Sequence, residues 1–146
     1  MKDKADQGYT LMELLIVIAI LGVIAAFAYS SYMGSTNKAR RTDAKNALLD
    51  AASQQEKWYM QFNQYTDDVN NIGGSSSKDG YYSISVVFNA DTQNSCDDGA
   101  CFTLTATPVS GKAQAKDSDC AVFEIDNLGR KVAEDSGGNS NSKCWN

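Results

Sequence analysis

From Gly8 to Tyr29 the chain reads GYTLMELLIVIAILGVIAAFAY, an apolar run broken by a single charge, Glu13. As a helix, the stretch from Leu11 to Tyr29 would extend about 28 Å, close to the roughly 30 Å of a bilayer's hydrocarbon core. The pattern suits an uncleaved membrane anchor. It also suits a secretory signal, with Lys2 and Lys4 ahead of it, Leu14 to Ala25 as its apolar centre and AFA at 26–28 as a small-residue cleavage site. Neither use gains from Glu13, because an uncompensated acid near a membrane helix centre costs about 2.5–3.5 kcal/mol, and less towards the end of the span. The run contains no lysine or arginine, so a charge partner for Glu13 must come from elsewhere.

The helical pattern continues without a proline from Ser30 to about Gln61. Ala44, Leu48, Ala51, Ala52, Gln55, Trp58, Tyr59 and Phe62 recur at helical spacing and predict a face that covers a sheet, with Lys45, Asp50, Glu56 and Lys57 on the opposite side. Asn63 is the expected left-handed cap, and the turn-rich QYTDDVNNIGGSSSKDG after it has no apolar period. Three strands follow from alternation: YYSISVVF with Tyr82, Ile84, Val86 and Phe88 on one face, FTLTAT with Phe102, Leu104 and Ala106, and AVFEI with Ala121, Phe123 and Ile125. The fold class expected is α+β, a long N-terminal helix whose C-terminal half packs on an antiparallel sheet.

Length and charge narrow the chemistry. The chain has 146 residues and a net charge of -5, which disfavours a general electrostatic grip on nucleic acid while leaving room for a local basic stripe around NKARR and Lys45. It has no histidine, which removes the commonest general base and every mixed Cys/His zinc site. No enzymatic constellation, cofactor site or metal site is expected. The four cysteines, Cys96, Cys101, Cys120 and Cys144, lack metal-binding spacing, and in a small domain behind a membrane or export segment they read as two disulfides. Of three connectivities the sequential one is preferred, because Cys96 and Cys101 bracket the turn-forming DDGA and the other pair flanks the C-terminal segment. Trp145, beside Cys144, is expected to pack on the domain.

The segment G-YTLMELLIVIAILGVIAA resembles the N-terminus of type IV pilins and their relatives: glycine, an aromatic residue, Thr-Leu, an aliphatic residue, glutamate, then an apolar stretch. FTLTATP, DSDCAVFEIDNLGRK and the terminal CWN extend the resemblance to PilE-type minor pilins. The resemblance implies that prepilin peptidase cuts between Gly8 and Tyr9 and methylates Tyr9. The freed amine then supplies the partner for Glu13, on the same or a neighbouring subunit, making Glu13 an assembly gauge. It also implies that Cys120 and Cys144 close a disulfide-bounded loop. Tyr9 stands where phenylalanine is usual, and Ser30 where most of the family has a helix-bending proline.

The domain reading is then residues 1–8 as leader, 9–29 as transmembrane and filament-core helix, 30–63 as its amphipathic half and 64–146 as the β-sheet head. The expected function is a structural subunit, a minor pilin supporting pilus assembly, adhesion and twitching motility. A major pilin, a type II secretion pseudopilin, a secreted binding domain behind an ordinary signal peptide and a DNA receptor pilin for transformation, which would need a basic surface stripe that the overall charge disfavours, are the alternatives. The partners implied are other pilin subunits, prepilin peptidase, the inner-membrane assembly machinery and a tip adhesin, with nucleic acid disfavoured. The subunit would sit in the inner membrane with its head periplasmic, then in the extracellular pilus. Basic residues after the run outnumber those before it and favour the opposite topology. The oxidising side that the cysteines require and a cytoplasmic cut at Gly8 outweigh that count.

Overall fold

The computed structural model describes residues 9–88 and 101–145. They fall into two compact units, one ending at Thr36 and one beginning at Asn37. One helix, α1 (Leu11–Phe62, 52 residues), enters both. Nothing in its sequence stops it earlier, since it holds no proline and its two glycines, Gly22 and Gly34, have open space around them. It runs through Ser30 as helix. Asn63 ends it at φ 53°, a left-handed conformation that asparagine tolerates better than most residues.

In the first unit the apolar side chains have no cover. Leu14, Leu15, Ile16, Val17 and Ile18 are each about half exposed, and Ile20, Leu21, Val23 and Ile24 are as open. The exposure goes all round the helix, unlike the single stripe of a helix packed on a core.

In the second unit, four strands form an antiparallel meander in sequence order: β1 (Tyr82–Phe88), β2 (Phe102–Pro108), β3 (Val122–Asp126) and β4 (Lys131–Glu134). Register places Ile84 opposite Ala106, Leu104 opposite Ile125 and Phe123 opposite Ala133, so one face collects the apolar residues of all four strands. Ala44, Leu48 and Ala51 of α1 join that face in one core with Tyr82, Phe102, Leu104, Phe123 and Ile125. Burying each of the larger side chains contributes about 1.5–3 kcal/mol. The three expected strands are present and β4 is an addition. The expected helix face is narrower than its pattern: Ala44, Leu48, Ala51 and Gln55 are buried, but Tyr59 and Phe62 are 41% and 52% exposed. Near the end of α1 these rings find one another instead, with Trp58 against Phe62 at 4.3 Å and Tyr59 stacked on Tyr65 at 4.7 Å.

Polar side chains fix the connections. Gln55, fully buried, uses its amide as a backbone surrogate, donating to Thr66 O at 2.7 Å and accepting from Thr66 N at 3.0 Å. Asp126 accepts from the amides of Leu128 and Arg130 across the β3–β4 turn, where Gly129 takes φ 73°. After β4, Asp135 accepts from the backbone and side-chain amides of Asn139 and from the Gly137 amide, which holds its carboxyl below the usual range. Cys120 and Cys144 are bonded, closing the C-terminal segment onto the start of β3.

Candidate functional site

The N-terminal residues form a local hydrogen-bonded unit. Thr10 precedes the first helical residue, and its hydroxyl accepts from Glu13 N at 3.2 Å. The Glu13 carboxylate in turn accepts from Thr10 N and from the Thr10 hydroxyl, each at 3.2 Å. This is a capping box, in which two otherwise orphaned donors at a helix start are satisfied reciprocally, and a carboxylate there also favours the helix dipole. The signature was present in the sequence as Thr-x-x-Glu at 10–13. Tyr9 lies just before it, 85% exposed. Gly8, on the other side of the expected cut, lies outside the described residues.

On the second unit α1 divides two grooves. One, about 600 Å³, lies between α1 and the loop after it, lined by Asp43, Asn46, Asp50, Lys78 and Asp79 over Ile72 and Ile84. Asp43 is 7% exposed and accepts from Asp79 N at 3.2 Å through Oδ1, while its Oδ2 is buried without any hydrogen-bond partner. The other groove, about 640 Å³, is lined by Lys38, Arg41, Lys45, Asp119, Asn141 and Lys143 beside the Cys120–Cys144 bond. Burial pushes the Lys45 ammonium down, and the positive charges of Arg41 and Lys131 push it further the same way. Arg41 itself is engaged: its guanidinium donates two bonds of 2.7 Å to Asp117, which also accepts from Gln114 Nε2 at 2.7 Å.

Among the other expected site residues, Cys120 and Cys144 are buried and joined, and Trp145 packs edge-on against Phe123 at 5.8 Å while donating to Val132 O at 2.7 Å. Cys101 is buried and disulfide-bonded, with its amide donating to Asn127 Oδ1 at 2.7 Å. Cys96 lies outside the described residues, and the expected Cys96–Cys101 pairing with it. Among the described residues no cluster of three histidine, cysteine or acidic side chains is arranged to hold a metal.

An apolar helix exposed on all sides in its first half and packed against a four-stranded antiparallel meander in its second is the architecture that the N-terminal motif implies. A family model described as "Prokaryotic N-terminal methylation motif" matches residues 3–29. A second, described as "Type IV minor pilin ComP, DNA uptake sequence receptor", matches residues 30–124, more than half of the chain. The chain is thus a type IV pilin and belongs to the family of this second model. It is similar to the fimbrial protein EcpC of Eikenella corrodens, with 28% identity over 80% of this chain and 74% of that protein. It is also similar to the type IV major pilin protein PilA of Myxococcus xanthus, with 29% identity over 58% of this chain but only 38% of PilA's length. A solved type IV pilin from Shewanella oneidensis aligns at 24% identity and a TM-score of 0.47, covering 73% of this chain and 98% of that one.

Proposed function

We propose that this chain is a minor subunit of a type IV pilus, cut between Gly8 and Tyr9 by prepilin peptidase and methylated on Tyr9. Residues 9–29 then hold it in the inner membrane with its head periplasmic until it joins the filament, where it supports assembly, adhesion and twitching motility. The observation that carries this reading is the uncovered apolar surface from Leu14 to Ile24, which needs lipid before assembly and other helices after it. The cut leaves the Thr10 amide in place, so the capping box survives processing while a cationic amine appears next to it. The test is the intact mass and N-terminal sequence of the unreduced protein from membranes and from sheared filaments. A methylated Tyr9 start in both supports the proposal, and a start at Tyr29 overturns it in favour of a secreted domain. Its stoichiometry in the filament separates a minor from a major subunit.

A second reading, a DNA receptor, is favoured by the lysine-lined groove of the head together with the matched family's description. Overall charge opposes it, so binding would depend on Lys38, Lys45 and Lys143 alone. With about three phosphates contacted, the logarithm of the binding constant should fall with the logarithm of salt at a slope of about -3. Fluorescence anisotropy of a labelled duplex with the full chain in detergent measures this. Absence of salt-dependent binding removes the reading.

A further inference from the structure

The chain treats the outer edges of β4 and β1 differently. Beyond β4, residues 139–141 run alongside: Asn141 N donates to Ala133 O at 2.7 Å and Asp135 N to Asn139 O at 2.9 Å. Beyond β1, the cover stops part-way. The register with β2, extended by the bond from Val109 N to Tyr81 O, turns the main-chain groups of Ser83, Ser85 and Val87 inward, so those of Tyr82, Ile84, Val86 and Phe88 face outward. Residues 75–77 meet the first two. Ser77 N donates to Tyr82 O, the Ser77 hydroxyl accepts from Tyr82 N, Ile84 N donates to Ser75 O, and Ser76 bridges Ser83 in antiparallel sense. This is a fragment of a further strand. It goes no further because Gly73 and Gly74, at φ 110° and 94°, turn the chain away from the edge. The N–H and C=O of Val86 and the N–H of Phe88 have no hydrogen-bond partner among the described residues.

The open part of this edge lacks the usual protection. Unpaired groups along an edge strand are a template for another strand, and proteins blunt them with charge, proline or a bulge. β1 reads YSISVVF, with neither charge nor proline, and its register with β2 is unbroken from Tyr82 to Phe88. Val87 is 56% exposed on the face away from the core, while Val86 and Phe88 are half-buried at the margin of the core itself. The position opposite Ile84 belongs to Ser75, so an antiparallel occupant pairs with Val86 and Phe88 and ends or turns where Ser75 begins. A second copy's β1 does not meet that condition: pairing Val86 with Val86 of the other copy would put the other copy's Phe88 where Ser75 lies.

We propose that the outer edge of β1 at Val86 and Phe88 is a strand-addition site, where an extended segment of a different protein runs antiparallel to β1 and prolongs the strand that residues 75–77 begin. Val86 exchanges both of its main-chain bonds with one residue of that segment, and Phe88 N–H donates to the carbonyl two residues earlier in it. The occupant side chains opposite Val86 and Phe88 lie on the core side and favour β-branched or aromatic residues, whereas the residue between them faces outward beside Val87. Main-chain bonds supply the attachment, and the alternate side chains select the partner. The site requires neither the cut at Gly8 nor a filament, so the N-terminal mass tests the subunit reading separately.

The test presents random heptapeptides, displayed on phage through a flexible linker, to the full chain in detergent micelles, with counter-selection against Val86→Pro. Proline there deletes the outward N–H and leaves the inward bonds of Ser85 and Val87, whose amide exchange, with circular dichroism, checks the fold. The selected peptides should carry apolar residues at alternate positions, bind Val86→Pro roughly tenfold more weakly, and shift the amide resonances of Val86 and Phe88. Methylating the alternate peptide nitrogens that face β1 should abolish binding while methylating the other set does not, a readout that needs no change in the protein. Failure to select a peptide that distinguishes the two chains, binding indifferent to which nitrogens are methylated, or shifts confined to α1 or β4 overturns the proposal. So does dimerisation of the chain without peptide, seen by sedimentation and abolished by Val86→Pro, which would assign the edge to a second copy.

Discussion

The Arg41–Asp117 pair joins α1 to the segment before β3 at a distance of 76 residues in sequence. Both side chains are largely buried, at 16% and 3% exposure, and the guanidinium engages both carboxylate oxygens. Burial alone would raise the Asp117 pKa, but the Arg41 hydrogen bond and charge, aided by Gln114, outweigh it and hold the carboxyl below its usual range. A carboxyl depressed in the folded state contributes stability that is present above its unfolded pKa of about 3.9 and is lost as pH falls through the lower folded value. Asp117→Asn should therefore flatten the acid limb of stability below about pH 4, measured by urea unfolding at a series of pH values. Arg41→Leu should cost more at neutral pH, on the order of 3–5 kcal/mol, because it leaves a buried carboxylate with no cation opposite, held only by Gln114 and the Asp119 backbone. An unchanged acid limb in the asparagine variant would remove the pair from the account of acid stability. The sequence offered Arg41 as part of a basic run and gave no sign of its partner, since nothing local connects positions so far apart.

At the scale of elements, Gln55 shows how a helix holds a loop. Its amide satisfies both the N–H and the C=O of Thr66, which would otherwise be buried unpaired as the chain leaves α1. Gln55→Leu keeps the volume and removes both bonds, so it should destabilise the head by about 2–6 kcal/mol, at about 1–3 kcal/mol for each of the two buried groups left unmet. Hydrogen exchange at the Thr66 amide should accelerate, and protection equal to the wild type would show that another donor and acceptor replace the side chain. Helix and strand periodicities carried most of the fold here: α1 and the cores of β1, β2 and β3 follow from apolar residues at spacings of 3.6 and 2. β4 escaped because KVAE is four residues with only Ala133 buried, too short for alternation to register. Tyr59 and Phe62 were legible as a continued face but not as exposed. Periodicity gives the side of a helix and not the point where the sheet beneath it ends, and their aromatic neighbours at 58 and 65 replace that missing cover.

For the whole molecule the decisive residue is Glu13, which under the proposed subunit reading meets two environments in succession. In the single chain it is held by Thr10 through three contacts of 3.2 Å, so its role at the helix start is local before any second subunit arrives. In the proposed filament it also balances the amine created at Tyr9, in surroundings where an unpaired charge is costly. The two roles separate chemically, since glutamine is as suitable as glutamate at the third helical position of a capping box but carries no charge. Glu13→Ala removes both roles and should leave cleavage after Gly8 largely intact while impairing entry into filaments. Glu13→Gln should keep helix content in detergent, read by circular dichroism, yet fail in sheared filaments as the alanine variant does. Thr10→Val is the converse: it breaks the box, retains the carboxylate and should enter filaments more readily than either Glu13 variant. If Glu13→Gln entered filaments at the wild-type level and Thr10→Val did not, the glutamate would be a helix cap whose charge is incidental, and register in the filament would have to be set elsewhere along α1.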